Sequence, residues 1–225
     1  MHTGKGQVVE LMLEDGLRHT RISCPTNLIP APGQYLLASD ASDSPLPASI
    51  FSTDSTPQGF IAAAPVPDSW IPGRELHLRG PLGRGFNLPA SARKVALVAF
   101  DDAPLRLRGL IVPALKSGAA VTLVTNLGSD SLPDEVEVQP VSALAEIAEW
   151  ADVLAFDVAC GNLFKLEEYL GSMKQAWAGK GAQVLVRTPM PCGGIADCGV
   201  CAVAFRSGWK MACKDGPVFE LMEIF

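Results

Sequence analysis

The sequence predicts an α+β multi-domain chain in three parts: an N-terminal antiparallel β-barrel over residues 1–90, a doubly wound α/β domain over 91–188, and a C-terminal cysteine loop over 189–225. Three observations predict it. Short alternating segments punctuated by Pro, Gly, Ser and Asp fill the first part. Continuous apolar runs alternate with helical patterns in the second. Four of the six cysteines fall within 22 positions near the end.

The barrel strands are "QVVELMLED" and "LRHTRISC", turning at Asp15-Gly16, then "GQYLLASD", "ASIFSTD", "GFIAAAP" and "ELHLRG". The stretch 39–47, "SDASDSPLP", reads as a mobile polar loop. From Ser91 the pattern changes. "KVALVAF" is an apolar run of the kind buried on both faces of a parallel sheet. "APLRLRGLIVPALKSG" follows as a helix closed by Gly118, with Pro113 kinking it or dividing it in two. "AAVTLVTN" is a second strand, "SALAEIAEWA" a helix and "DVLAFDVA" a third strand. "NLFKLEEYLGSMKQAWAGKG" places Leu163, Leu166, Tyr169, Leu170, Met173 and Trp177 on one helical stripe. "AQVLVRT" is a fourth strand, and "GPVFELMEIF" ends the chain as a strand packed back on the body. Trp70, Trp150, Trp177 and Trp209 read as packing residues, and Lys210 and Lys214 as a solvated face.

At 225 residues with nearly half of them apolar, the chain buries a core without disulfide staples. Its longest apolar runs are too short to span a bilayer, and "MHTGKGQVVELML" lacks a signal-peptide pattern. These features predict a soluble cytoplasmic protein. A net charge of -6 without a basic face argues against nucleic acid as a partner.

The clustered cysteines are spaced Cys192-x5-Cys198-x2-Cys201-x11-Cys213. Such clustering in an unexported chain points to metal. Three thiolates on one loop and a fourth on a later turn suit a [2Fe–2S] cluster, close to the plant-type C-x4-C-x2-C pattern. Gly193, Gly194 and Gly199 let the backbone approach the cluster sulfides, and Ala196 and Ala202 keep neighbouring positions small. A four-cysteine zinc site is the alternative, although such sites pair their ligands as C-x2-4-C twice and only Cys198 and Cys201 are so paired. Disulfides within the loop are a third reading. Cys24 and Cys160 read as small buried hydrophobes.

Barrel, α/β domain and the tail "CGGIADCGVCAVAF…WKMACKDGPVFEL" together resemble the ferredoxin–NADP reductase superfamily, and within it the electron transfer (iron–sulfur) subunits of class B dihydroorotate dehydrogenase. The resemblance runs over essentially the whole chain. It implies [2Fe–2S] on Cys192, Cys198, Cys201 and Cys213, electron transport with a catalytic flavoprotein subunit that acts in pyrimidine biosynthesis, and no acid, base or nucleophile on this chain. It also implies FAD against Pro47, Ser49 and Ile50 of an Arg-Pro-x-Ser-Ile-type motif, and against Gly80, Pro81, Leu82 and Gly83. The chain departs from the family pattern at several places, one of them the five residues between Cys192 and Cys198 where the family usually has four. Leu46 stands where the family's arginine pairs with the FAD pyrophosphate, so that charge-assisted contact is missing. "GFIAAAPVPDSWIPG" replaces a Gly-x-Gly-Thr-type phosphate element. Asp101 and Asp102, read as helix caps, replace a glycine-rich turn at the pyridine-nucleotide site, and Cys160-Gly161-Asn162 only partly matches a Cys-Gly-Pro motif. The expectation is an electron transfer subunit with its cluster retained, FAD in question and NAD binding lost, so that another redox carrier takes NAD's place. The alternative is a structural or regulatory subunit built around zinc.

Overall fold

The computed structural model describes residues 1–14, 16–40, 42, 46–63, 65–128 and 132–225. Asp15 of the expected hairpin turn and residues 41 and 43–45 of the polar stretch 39–47 therefore lie outside the described residues.

Among the described residues, β1 (His2–Glu14), β2 (Leu17–Ser23), β3 (Tyr35–Ser39), β4 (Ala48–Thr56), β5 (Gly59–Ala62) and β6 (Glu75–Leu82) close into an antiparallel barrel in the order β1-β2-β5-β4-β3-β6. Alternation causes the closure. In β6, Leu76 and Leu78 point inward while Glu75 and His77 face solvent. They meet Ile22, Leu36, Ile50 and Phe60 from the other strands, and Leu28 and Trp70 complete this core.

The second layer holds β7 (Lys94–Ala99), β8 (Ala120–Val124), β9 (Val136–Gln139), β10 (Val153–Ala159) and β11 (Gly181–Arg187). A hairpin of β12 (Ala202–Phe205) and β13 (Gly208–Met211) follows, then β14 (Val218–Glu220). The sheet order is β14-β11-β10-β7-β8-β9, parallel except for β14, which runs antiparallel to β11. The chain thus leaves β7 toward β8 and later returns on its other side as β10. That reversal opens a crevice at the carboxyl ends of β7 and β10, where ligands of open α/β sheets bind.

The helices are short: α1 (Ile111–Lys116), α2 (Leu144–Trp150), α3 (Leu163–Gly171), α4 (Lys174–Trp177), α5 (Ala212–Asp215) and α6 (Leu221–Ile224). Residues 104–116 form two 3-10 turns followed by α1, which contains Pro113. The single amphipathic helix expected over 162–181 is instead two pieces. Helix α3 ends at Gly171, and Met173 leaves helical geometry at φ -125°. The apolar stripe survives the break: Leu166, Leu170 and Trp177 are all buried, and Trp177 Nε1 donates to the Leu170 carbonyl at 3.2 Å. Tyr169 on the same stripe donates its hydroxyl to the Val141 carbonyl at 2.9 Å. Tyr169→Phe is therefore expected to cost about 1 kcal/mol, read as a melting temperature lower by about 2–4 °C.

Strand β9 and the β12–β13 hairpin were not expected from the sequence pattern. The C-terminal run is a strand only as far as Glu220, after which Leu221–Ile224 makes one helical turn. No helix among the described residues is long and apolar enough to cross a membrane.

Candidate iron–sulfur loop and inter-domain crevice

The four clustered cysteines come together as two pairs. Cys192 and Cys198 sit side by side on the loop, the first half-buried and the second exposed. Cys201 and Cys213 form the other pair, both buried, and the Cys213 N–H donates to Cys201 Sγ at 3.5 Å. Helix α5 carries Cys213 back to Cys201, because the Ala212 N–H donates to the Cys201 carbonyl at 3.0 Å. Among the described residues, no three His, Cys, Asp or Glu side chains close around one point as a single metal ion requires.

Backbone amides aim at the sulfurs. The N–H of Asp197 points to Cys192, joined by the N–H groups of Cys198 and Ile195 and by the Cys198 thiol; they hold the Cys192 thiol down at about 6. Burial pushes the Cys213 thiol up to about 12, with the adjacent Cys201 adding to it and the Ala196 N–H opposing. This donor pattern requires unusual backbone. Gly193 and Gly194 lie at φ +72° and +77°. Ala196, at φ +62°, is the one non-glycine residue with positive φ among the described residues. Holding an L-residue there costs about 1 kcal/mol or more, and such strain collects at functional sites. The donor set fits a [2Fe–2S] cluster: four thiols in two pairs give two ligands per iron, and the inward amides offset thiolate charge.

The barrel supports this loop from below. A Cβ on Gly83 would lie 2.5 Å from the Gly216 carbonyl oxygen, and Arg84 N–H donates to that oxygen. Leu82 packs 3.5 Å from the Cβ position of Gly194. Ile195 and Val200 on the loop and Trp209 on β13 expose apolar side chains, with Trp209 71% accessible rather than packed. Lys210 pairs with Glu223 at 2.9 Å and lies 4.7 Å over the Phe205 ring.

A cavity of about 650 Å³ opens beside Cys192 and Gly193. Leu37, Leu46 and Pro47 form its apolar wall, and Lys5, His77 and Arg79 its basic rim. A smaller cavity of about 280 Å³ lies between barrel and sheet, against Ser49, Phe51, Arg106, Arg187 and Thr188. The residues expected around FAD are thus divided. Pro47 lines the first cavity and Ser49 the second, Ile50 is buried in the barrel core, and Gly83 packs on the C-terminal segment.

At the crevice, charged side chains pair with one another beside the smaller cavity. Arg187 pairs with Asp157 at 2.7 Å and Asp102 at 3.2 Å, and also with Asp101. Arg106 pairs with Asp102 at 3.1 Å and Asp157 at 3.3 Å. Asp101 also accepts from the Ala159 N–H and from Asn162 Nδ2. Asp101 and Asp102 are therefore members of an ion-pair network rather than helix caps; the turn at Pro104–Arg106 has no side-chain cap. The network was not visible in the sequence because Arg187 lies 86 residues from Asp101. Burial pushes the Asp157 carboxyl up while Arg106 and Arg187 pull it back. These residues do not suit a dinucleotide phosphate, since both guanidiniums are already engaged by carboxylates.

Comparison with known proteins agrees with this architecture. The electron transfer subunit of dihydroorotate dehydrogenase B (NAD(+)) from Clostridium perfringens is 26% identical over 174 residues, 68% of each chain. A structure of an NADH-dependent reduced ferredoxin-NADP oxidoreductase, solved in a study of flavin-based electron bifurcation, superposes with a TM-score of 0.76 at 18% identity, covering 98% of this chain and 89% of the other. Ferredoxin-NADP+ reductase from Plasmodium falciparum gives 0.62 at 10% identity over 81% and 95%. No protein-family model matches the chain. The chain has the fold of the ferredoxin–NADP reductases and is similar in sequence to the electron transfer subunit of dihydroorotate dehydrogenase B.

Proposed function

We propose that this chain is the iron–sulfur electron transfer subunit of an oxidoreductase complex, with Cys192, Cys198, Cys201 and Cys213 as ligands of a [2Fe–2S] cluster. One observation carries the reading: the four thiols meet as two pairs on a loop whose amides point at the sulfurs. When bound, such a cluster supplies one-electron transfer, and no residue needs to act as acid, base or nucleophile. The protein's part is to ligate, to hold the loop and to tune charge through its N–H donors.

The exposed apolar side chains of Ile195 and Val200 on the loop and of Trp209 on β13 suit close approach of a catalytic flavoprotein, as the similarity to the dihydroorotate dehydrogenase B subunit suggests. The engaged arginines at the crevice argue that the second redox partner is a carrier other than NAD. FAD has no assigned role in this reading.

Protein prepared without oxygen tests it. We expect about two irons and two inorganic sulfides per chain, with visible absorbance. One zinc in a colourless protein would instead establish the structural-subunit reading. Flavin released on acid denaturation would add FAD.

A further inference from the structure

We propose that Tyr35 is a positioning residue for the cysteine loop: from the outer face of barrel strand β3, its hydroxyl fixes the spacing between the Cys192–Cys198 pair and the Cys201–Cys213 pair. The inference rests on the cluster reading above and extends it to a residue far from the cysteines in sequence.

Tyr35 opens β3 and is fully buried. Its hydroxyl donates to the Cys213 carbonyl at 2.9 Å, across 178 residues of sequence. The same oxygen lies 2.9 Å from where a Cβ on Gly194 would stand. One phenol oxygen therefore touches the backbone of both stretches that bear the thiol pairs. The ring is held on its other sides. Its Cε1 lies 3.1 Å from the Cβ position of Gly83, and Phe51 packs at 6.2 Å between ring centroids. Packing alone would be met by phenylalanine at this position. The added hydroxyl satisfies the buried carbonyl of a cluster ligand, and a rigid ring with two torsions gives that bond a fixed direction. The absence of a side chain at Gly194 is what lets the loop come down onto the hydroxyl.

The test uses Tyr35→Phe, Gly194→Ala and the double variant, all prepared without oxygen. The readouts are iron and sulfide content, the rate at which a ferrous chelator bleaches the visible absorbance, the visible circular dichroism and the midpoint potential. Y35F is expected to fold and load, to bleach about fivefold faster than the parent, and to shift the visible dichroism and the potential. G194A is expected to bleach faster still. The double variant should fall short of the product of the single effects, because Y35F removes the atom that the new Cβ meets. A loaded Y35F protein with parental bleaching, dichroism and potential overturns the positioning role alone, as does a fully multiplicative double variant. A parent chain without iron and sulfide overturns the cluster reading and this inference with it.

Discussion

Replacing Cys201 with serine is expected to abolish the visible absorbance and reduce bound iron and sulfide to background. Cys201 is 1% exposed and central to the loop. Its sulfur accepts the Cys213 N–H at 3.5 Å, and its carbonyl accepts the Ala212 N–H at 3.0 Å. Serine preserves the shape but offers a shorter, harder ligand atom, and the buried position gives the loop no route to recruit a replacement. The fold itself should survive, because the exchange changes little volume; a loss of no more than about 2 kcal/mol in the metal-free protein is expected. Controls lie elsewhere in the chain. Cys24 and Cys160 are half-buried rather than fully buried as expected, and burial raises both thiols, that of Cys24 to about 11. Cys24→Ser and Cys160→Ser should keep full colour and iron. A fully coloured C201S protein would sink the ligand assignment.

The parts of this molecule that were readable in its sequence are those that local pattern determines. "KVALVAF", "AAVTLVTN", "DVLAFDVA" and "AQVLVRT" became β7, β8, β10 and β11 because unbroken apolar runs survive only in strands covered on both faces. The barrel was readable from its alternation, and the cysteine cluster from spacing and glycine. What stayed hidden depends on distance or on weak local signals. Strand β9, "VEVQ", is polar at two of four positions and takes its place by lying at the sheet edge beside β8. The β12–β13 hairpin is four residues a side and turns at Arg206-Ser207, without the Asn-Gly type of signal. "PGQYLLA" marked Tyr35 as a barrel residue, and nothing local tied it to Cys213. Asp101 and Asp102 stood out as carboxylates in place of a glycine-rich turn, and the structure pairs both with arginines. Their partners, Arg106 and Arg187, could be joined to them only once β7, β10 and β11 lay side by side.

The same network supports the second large prediction: Arg187→Met should destabilise the chain by about 3–5 kcal/mol, seen as a melting temperature lower by about 10 °C. Methionine replaces the length and apolar stem of Arg187 but not its charge. Three carboxylates would then face Arg106 alone, and one of them, Asp157, is 1% exposed. The pH dependence gives the mechanism a sign. Burial already raises the Asp157 carboxyl, and Arg187 is one of the two cations opposing that rise. Removing it drives the folded-state value further above the unfolded one. A carboxyl raised in this way costs nothing while it is protonated in both states. The cost grows as pH climbs past the unfolded value of about 4 and levels off above the folded one. The gap between parent and R187M should therefore be widest near neutral pH and narrow toward pH 4. Asp102→Asn, at a side chain 39% exposed, should cost no more than about 1 kcal/mol at either pH. A gap independent of pH would mean that Arg187 contributes by packing rather than by charge. A variant as stable as the parent would mean that the three carboxylates are neutralised without it, and the reading of the ion-pair network as a structural lock in place of a nucleotide site would fail.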